Sequence, residues 1–258
     1  MIRSSPVFLV VALGACSSSQ SPKLDASVEP GVDARVTPID AEVHDAEVHD
    51  AEPDPPYRHT ITIDGTDDFA AVEQFPTTTA GFGARVTWDD DHVYVGYDGP
   101  DLDPTTSDAG TKWLFVYVDV DPGMGTGATQ SQGYNTQRAV FPAGFGAELY
   151  ARWKADGTYS SIEQHDAGSW STSAGPLTTA RAGQFLELAI PRSLLGSATE
   201  IGIVTWMINE RALAESSWAG LYADNFTDGY AESLPITKYL RVEFASSRAP
   251  NDPLNAAP

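Results

Sequence analysis

The sequence predicts an all-β protein: an antiparallel β-sandwich of jelly-roll type, preceded by a signal peptide and a disordered acidic linker. Three observations predict it. From Tyr57 onward, short runs of β-branched and aromatic residues alternate with Gly, Asp, Asn and Pro turn signals. Helix signals are confined to Pro191-Arg192-Ser193-Leu194-Leu195, where a leading proline and the following Gly196 suit a single turn. From Ser17 to Pro56 there is no aromatic residue, and a chain of Ser, Asp, Glu, Ala, Val and Pro cannot bury enough apolar surface to offset its ordering entropy.

Taken in order, the strands begin with His59-Thr60-Ile61-Thr62-Ile63, which ends at the turn signal Asp64-Gly65. Ala84-Arg85-Val86-Thr87-Trp88 and His92-Val93-Tyr94-Val95-Gly96-Tyr97 flank Asp89-Asp90-Asp91 as a hairpin. Trp113 to Val118 is apolar throughout, as a central strand should be, and ends at Asp119-Val120-Asp121-Pro122-Gly123. Glu148 to Trp153 and Tyr159 to Glu163 form a second hairpin around Asp156-Gly157. Phe185 to Ile190, Ile201 to Ile208 and Tyr239 to Phe244 complete the set. The expected organisation is 1–15 signal peptide, 16–56 tether, 57–245 sandwich domain and 246–258 flexible tail, the last from its Ser, Pro, Ala and Asn content.

The chain has 258 residues, with Asp plus Glu at 36 against Lys plus Arg at 15 and a formal charge of −21. That field repels phosphate backbones, so nucleic acid is excluded as a partner class. A single cysteine, Cys16, rules out an internal disulfide and a thiolate zinc cluster. It follows Arg3 and the apolar run Val7 to Leu13, too short to span a bilayer and suited to a signal-peptide core. Leu13-Gly14-Ala15-Cys16 resembles the lipobox of bacterial lipoproteins. That resemblance implies acylation at Cys16, a membrane partner reached through the lipid and, with Ser17 next, sorting to the outer membrane or cell surface. The tether contains a tandem repeat, Ala41-Glu42-Val43-His44-Asp45 and Ala46-Glu47-Val48-His49-Asp50. Its acidic, proline-bearing character suits an extended spacer, and His44 and His49 would have to order a disordered segment to hold a metal.

The order of the strands is similar to the family 9 carbohydrate-binding modules and the related DOMON-type sandwiches. The residues carrying the resemblance are Ile63-Asp64-Gly65, the hairpin Val86 to Val95 with Trp88-Asp89-Asp90, the strand Phe115 to Asp121, and Leu188-Ala189-Ile190-Pro191 before a short turn. In that family these motifs define the fold and do not contact sugar. Departures are Tyr97-Asp98-Gly99-Pro100-Asp101-Leu102-Asp103 after the hairpin and the long Gly-rich stretch from Gly123 to Phe145. The resemblance implies a noncatalytic sugar-binding module and a structural calcium.

Sugars are held by stacking on flat rings within a rim of hydrogen-bonding groups. Trp88, Trp113, Trp153 and Trp206 lie inside predicted strands and read as core. Trp170 and Trp218 stand among Gly, Ser and Ala in loop-like contexts and are the expected carbohydrate platforms, with Tyr134, Tyr222 and Asn225 at the rim. Asp119 and Asp121, at a strand end before glycines, are the expected oxygen ligands for calcium, with Asp101, Asp103 or Asp156 as further donors. No Gly-x-Ser-x-Gly, His-Glu-x-x-His or phosphate-binding glycine loop occurs, and Asn209-Glu210 reads as a strand-end pair, so an enzyme is not expected. The competing expectation is a structural or protein-interaction surface lipoprotein with the same sandwich and no sugar site.

Overall fold

The computed structural model describes residues 52–134, 136–211 and 216–258, with backbone alone at 172 and 173. Cys16, His44, His49 and the signal peptide lie outside the described residues, as does the tether apart from its last few positions. In chain order the strands are β1 (Gln74–Pro76), β2 (Gly83–Trp88), β3 (His92–Asp98), β4 (Lys112–Asp119), β5 (Arg138–Val140), β6 (Leu149–Lys154), β7 (Ser160–Asp166) and β8 (Ser169–Gly175). They continue as β9 (Thr178–Ala182), β10 (Phe185–Pro191), β11 (Glu200–Asn209), β12 (Ser217–Trp218), β13 (Ser233–Pro235), β14 (Tyr239–Glu243) and β15 (Ala256–Ala257).

Two antiparallel sheets form the expected sandwich. One runs β1-β2-β3-β10-β9, and the other runs β15-β14-β11-β4-β6-β7-β8 with β12 added beside β11. The chain changes sheet between β3 and β4, β8 and β9, and β10 and β11. The core between the sheets takes Val86, Trp88, Val93, Val95, Leu186 and Leu188 from the smaller sheet and Leu114, Val116, Ile203 and Met207 from the larger.

The apolar strands β4 and β11 are buried on both faces, which explains their unbroken hydrophobicity. Alternate residues Trp113, Phe115, Tyr117, Val204, Trp206 and Ile208 point to a second core, closed by Phe141, Phe145, Leu234 and Ile236. The Gly-rich stretch after Gly123 therefore has a structural role: it covers the outer face of the larger sheet. There β5 and β13 pair in parallel. All four strand tryptophans are buried.

Two expectations are corrected. His59 to Ile63 is extended but joins no sheet. Ile61 packs with Phe69, Tyr94 and Ala189 over the outer face of the smaller sheet, and the segment is pinned by hydrogen bonds to neighbouring chain: His59 N–H donates to the Trp88 carbonyl at 2.9 Å and the Thr60 hydroxyl to Asp89 at 2.8 Å. Asp64-Gly65 is the expected turn, its two N–H groups received by the buried Glu187 carboxylate. Gly65 sits at φ 91°, with a hypothetical Cβ 3.1 Å from the Ala182 nitrogen.

Residues 246–258, expected as a flexible tail, instead belong to the domain. Ala256 and Ala257 pair with Leu240 and Tyr239 to add strand β15. Asp252 caps the turn before it by accepting from the Leu254 N–H at 2.9 Å, and buried Asn255 donates to the Ala249 and Pro250 carbonyls at 2.9 and 3.0 Å. The same Asn, Asp and Pro residues that suggest fraying are the ones that build turns and caps.

Candidate functional site

The two tryptophans expected to form one platform are not brought together. Trp218 belongs to the core between the sheets and is 6% exposed, whereas Trp170 packs against the second core on the opposite face of the larger sheet. Pairing of β12 with β11, Trp218 opposite Met207, turns the Trp218 ring inward. Each tryptophan nevertheless lines its own depression.

The Trp218 cleft, about 220 Å³, is lined by Thr79, Phe82, Asp101 and Trp218. It sits where β3 ends in the short 3-10 turn Pro100–Leu102 and β4 begins. Lys112, buried at the start of β4, donates from Nζ to Asp101 Oδ1 at 2.7 Å, and Nζ is 6.0 Å from the Trp218 ring centre. The Thr78 and Thr79 hydroxyls accept from the Gly220 and Ala219 N–H groups at 3.0 and 2.7 Å and donate to Asp228 at 2.5 and 2.6 Å, tying the turn between β1 and β2 to the Trp218 strand. An indole, a phenyl ring and a carboxylate held from behind by Lys112 thus share one small hollow.

The Trp170 groove is wider, about 380 Å³, with Gln130, Ser131, Gln132, Arg138, His165 and Trp170 among its lining. Trp170 is half-buried, its ring 5.6 Å from Tyr117, 5.3 Å from Tyr150 and 5.0 Å from His165. Those contacts hold the indole in one orientation.

A third cluster joins Asp119, Asp121 and Glu148, whose carboxylate oxygens lie within 4.8 Å of one another. Asp119, 1% exposed, accepts from the Gly146 N–H at 2.8 Å and the Asp121 N–H at 2.9 Å. Glu148 accepts from the Val120 N–H at 3.0 Å, and the Thr126 hydroxyl lies 2.6 Å from Asp121 and 2.8 Å from Glu148. Burial, reinforced by the neighbouring Glu148 and Asp121 charges and opposed by the two N–H donors, pushes the Asp119 carboxyl from its ordinary 3.8 up to about 6. Burial raises Glu148 as well, with Asp121 adding to it. Three hard-oxygen donors around a turn, none of them ion-paired to a Lys or Arg among the described residues, are a donor set that fits calcium. The further donors expected at Asp101, Asp103 and Asp156 do not join it: Asp101 pairs with Lys112, Asp103 accepts from Thr105, and Asp156 accepts from Thr158.

The remaining rim candidates have structural partners. Tyr134 packs 4.7 Å from Phe115, shares a 2.8 Å hydroxyl contact with Tyr150 and accepts from Arg152, itself paired with Glu163. Tyr222 packs edge-on to Phe75 at 5.8 Å, with its hydroxyl buried. Asn225 is corrected from rim to clasp: buried, it donates to the Leu221 and Lys238 carbonyls at 2.8 and 3.1 Å and accepts from the Thr237 and Lys238 N–H groups at 2.9 and 3.0 Å. Asn225→Ala is therefore expected to cost about 2 kcal/mol in urea unfolding, since buried backbone groups lose their partners. A loss below about 0.5 kcal/mol would show the clasp to be dispensable.

Sequence reasoning missed Lys112, Glu148, Arg138 and His165. None of them carried a signal of its own: even Glu148, at the start of a predicted hairpin, is placed opposite Asp119 only by the pairing of β6 with β4.

No family model and no curated protein matches the chain. Among solved structures it is similar to a family 9 carbohydrate-binding module from Caldicellulosiruptor kristjanssonii in complex with glucose, at 15% identity and a TM-score of 0.38, covering 72% of this chain and 96% of that one. It is also similar to such a module from the same organism in complex with cellotriose, at 16% identity and a TM-score of 0.36, covering 63% and 78%.

Proposed function

We propose that the domain is a noncatalytic carbohydrate-binding module, displayed at the bacterial outer membrane or cell surface by a lipid on Cys16 and an acidic tether. The observation that carries the reading is the Asp101 carboxylate, held by buried Lys112, beside Trp218 and Phe82 in a cleft of about 220 Å³. Sites for drug-sized ligands run roughly 300–1,000 Å³, so this hollow suits a single sugar ring at a chain end. The Asp101 carboxylate offers an acceptor to the sugar hydroxyls, while the aromatic rings receive the apolar C–H face. Trp170 supplies a second aromatic element elsewhere on the domain.

The Asp119, Asp121 and Glu148 carboxylates would hold a structural calcium, which would neutralise their mutual repulsion and tie the turn after β4 to the stretch containing Gly146.

The test is a glycan array followed by calorimetry on residues 52–258. Asp101→Asn is expected to weaken sugar binding about 10- to 100-fold, the equivalent of losing a charge-assisted hydrogen bond of about 1.5–3 kcal/mol. Phe82→Ala provides a second variant outside the core strands. No glycan bound with or without calcium, or full affinity in Asp101→Asn, would overturn the cleft and favour a protein-interaction role.

A further inference from the structure

The Trp170 groove differs in charge from the Trp218 cleft. Arg138 is exposed, lines the groove and makes no ion pair among the described residues. An uncommitted guanidinium is notable in a chain of formal charge −21, where acidic partners are plentiful. It stands on β5, fixed by its own N–H donating to the Glu232 carbonyl at 3.0 Å. His165 and Trp170 belong to the same lining, as do Gln130, Ser131 and Gln132. Glu148 lies close to Gly127 of the lining and is engaged with Thr126 and the Val120 N–H. The groove's lining thus contains a guanidinium, an imidazole and an indole and no carboxylate.

We infer that this groove is a second, independent binding site for acidic sugar, taking a uronic acid unit with its carboxylate on Arg138 and its ring against Trp170. Guanidinium is the side chain best matched to a carboxylate, through parallel N–H donors, and the indole supplies the stacking surface. A neutral sugar leaves Arg138 unused. This inference shares with the proposed function only the stacking of sugar on an aromatic ring. The two sites lie on opposite faces of the larger sheet, so their failures are separable.

The experiment titrates residues 52–258 with trigalacturonate in calcium-free, chelator-containing buffer, following calorimetry and tryptophan fluorescence, with the fully methyl-esterified trimer as the neutral arm. Trigalacturonate is expected to bind at least tenfold tighter than the ester and to weaken as salt rises from 20 to 500 mM. Arg138→Gln, an exposed change that leaves the core alone, is expected to remove at least tenfold of that affinity, and Asp101→Asn to leave it unchanged. Absence of trigalacturonate binding, equal affinity for the ester, or an unaffected Arg138→Gln would each overturn the inference. Loss in Asp101→Asn would overturn it too, by moving the acidic sugar to the Trp218 cleft. Neutral-glycan binding with no trigalacturonate binding removes this site and leaves the first standing.

Discussion

Trp206→Ala is expected to destabilise the domain by about 3–5 kcal/mol, the cost of emptying a buried aromatic site whose walls cannot fully close. Trp206 is fully buried on β11, stacked on Tyr117 at 5.3 Å and 13° and met edge-on by Phe115 at 5.6 Å. Its indole N–H has no hydrogen-bond partner among the described residues, so the loss is one of packing. The cover of the second core is long and irregular, so the segments around β5 and β13 would loosen first. Trp206→Phe keeps part of the stack and should cost less than half as much. Urea unfolding of both variants checks this, and a loss below 1 kcal/mol for the alanine variant would mean that the outer face of the larger sheet is not packed as described.

Cation-free protein is expected to lose about 2 kcal/mol of stability between pH 4 and pH 6 through Asp119. Its folded carboxyl titrates near 6 against 3.8 ordinarily, so the folded state holds the extra proton in that window. Stability from this group is then full below pH 4 and declines as pH rises to about 6, at about 1.36 kcal/mol for each unit of difference. Glu148, raised in the same direction, adds to the slope. Asp119→Asn removes the titration, so in chelator its stability relative to the parent should improve by about 2 kcal/mol from pH 4 to pH 6.5. A flat difference across that range would sink the assignment. Millimolar calcium at neutral pH should raise the melting temperature of the parent and not of Asp119→Asn, because binding to the folded state alone stabilises it by mass action.

Much of the sandwich was legible because burial imposes a period on a strand. The hairpin around Asp89-Asp90-Asp91 and the strands β4, β6, β10 and β11 are all readable from apolar runs bounded by turn residues. Residues 59–63 have the same alternation but no sheet, because the segment lies across the outer face of the smaller sheet, where Ile61 buries against Phe69, Tyr94 and Ala189. Composition misled at the C-terminus for a related reason: Asn255 and Asp252 are polar in sequence yet satisfied by backbone partners in place.

The sites were less legible. Small neighbours around Trp218 suggested exposure, yet they are what lets Ala219 and Gly220 approach the Thr78 and Thr79 hydroxyls while the ring turns into the core. Asp119 and Asp121 could be named from a strand end alone, whereas Glu148 required the register of β4 against β6.

By itself, the sequence determined the all-β class, the turn chemistry and which strands are central, since each depends on neighbours a few residues apart. Only the tertiary structure decided that Trp170 and Trp218 stand on opposite faces, that Asp101 meets Lys112, and that Arg138 meets the Trp170 groove. Those juxtapositions join residues of separate elements, and they are set by sheet order and register, which no local pattern encodes.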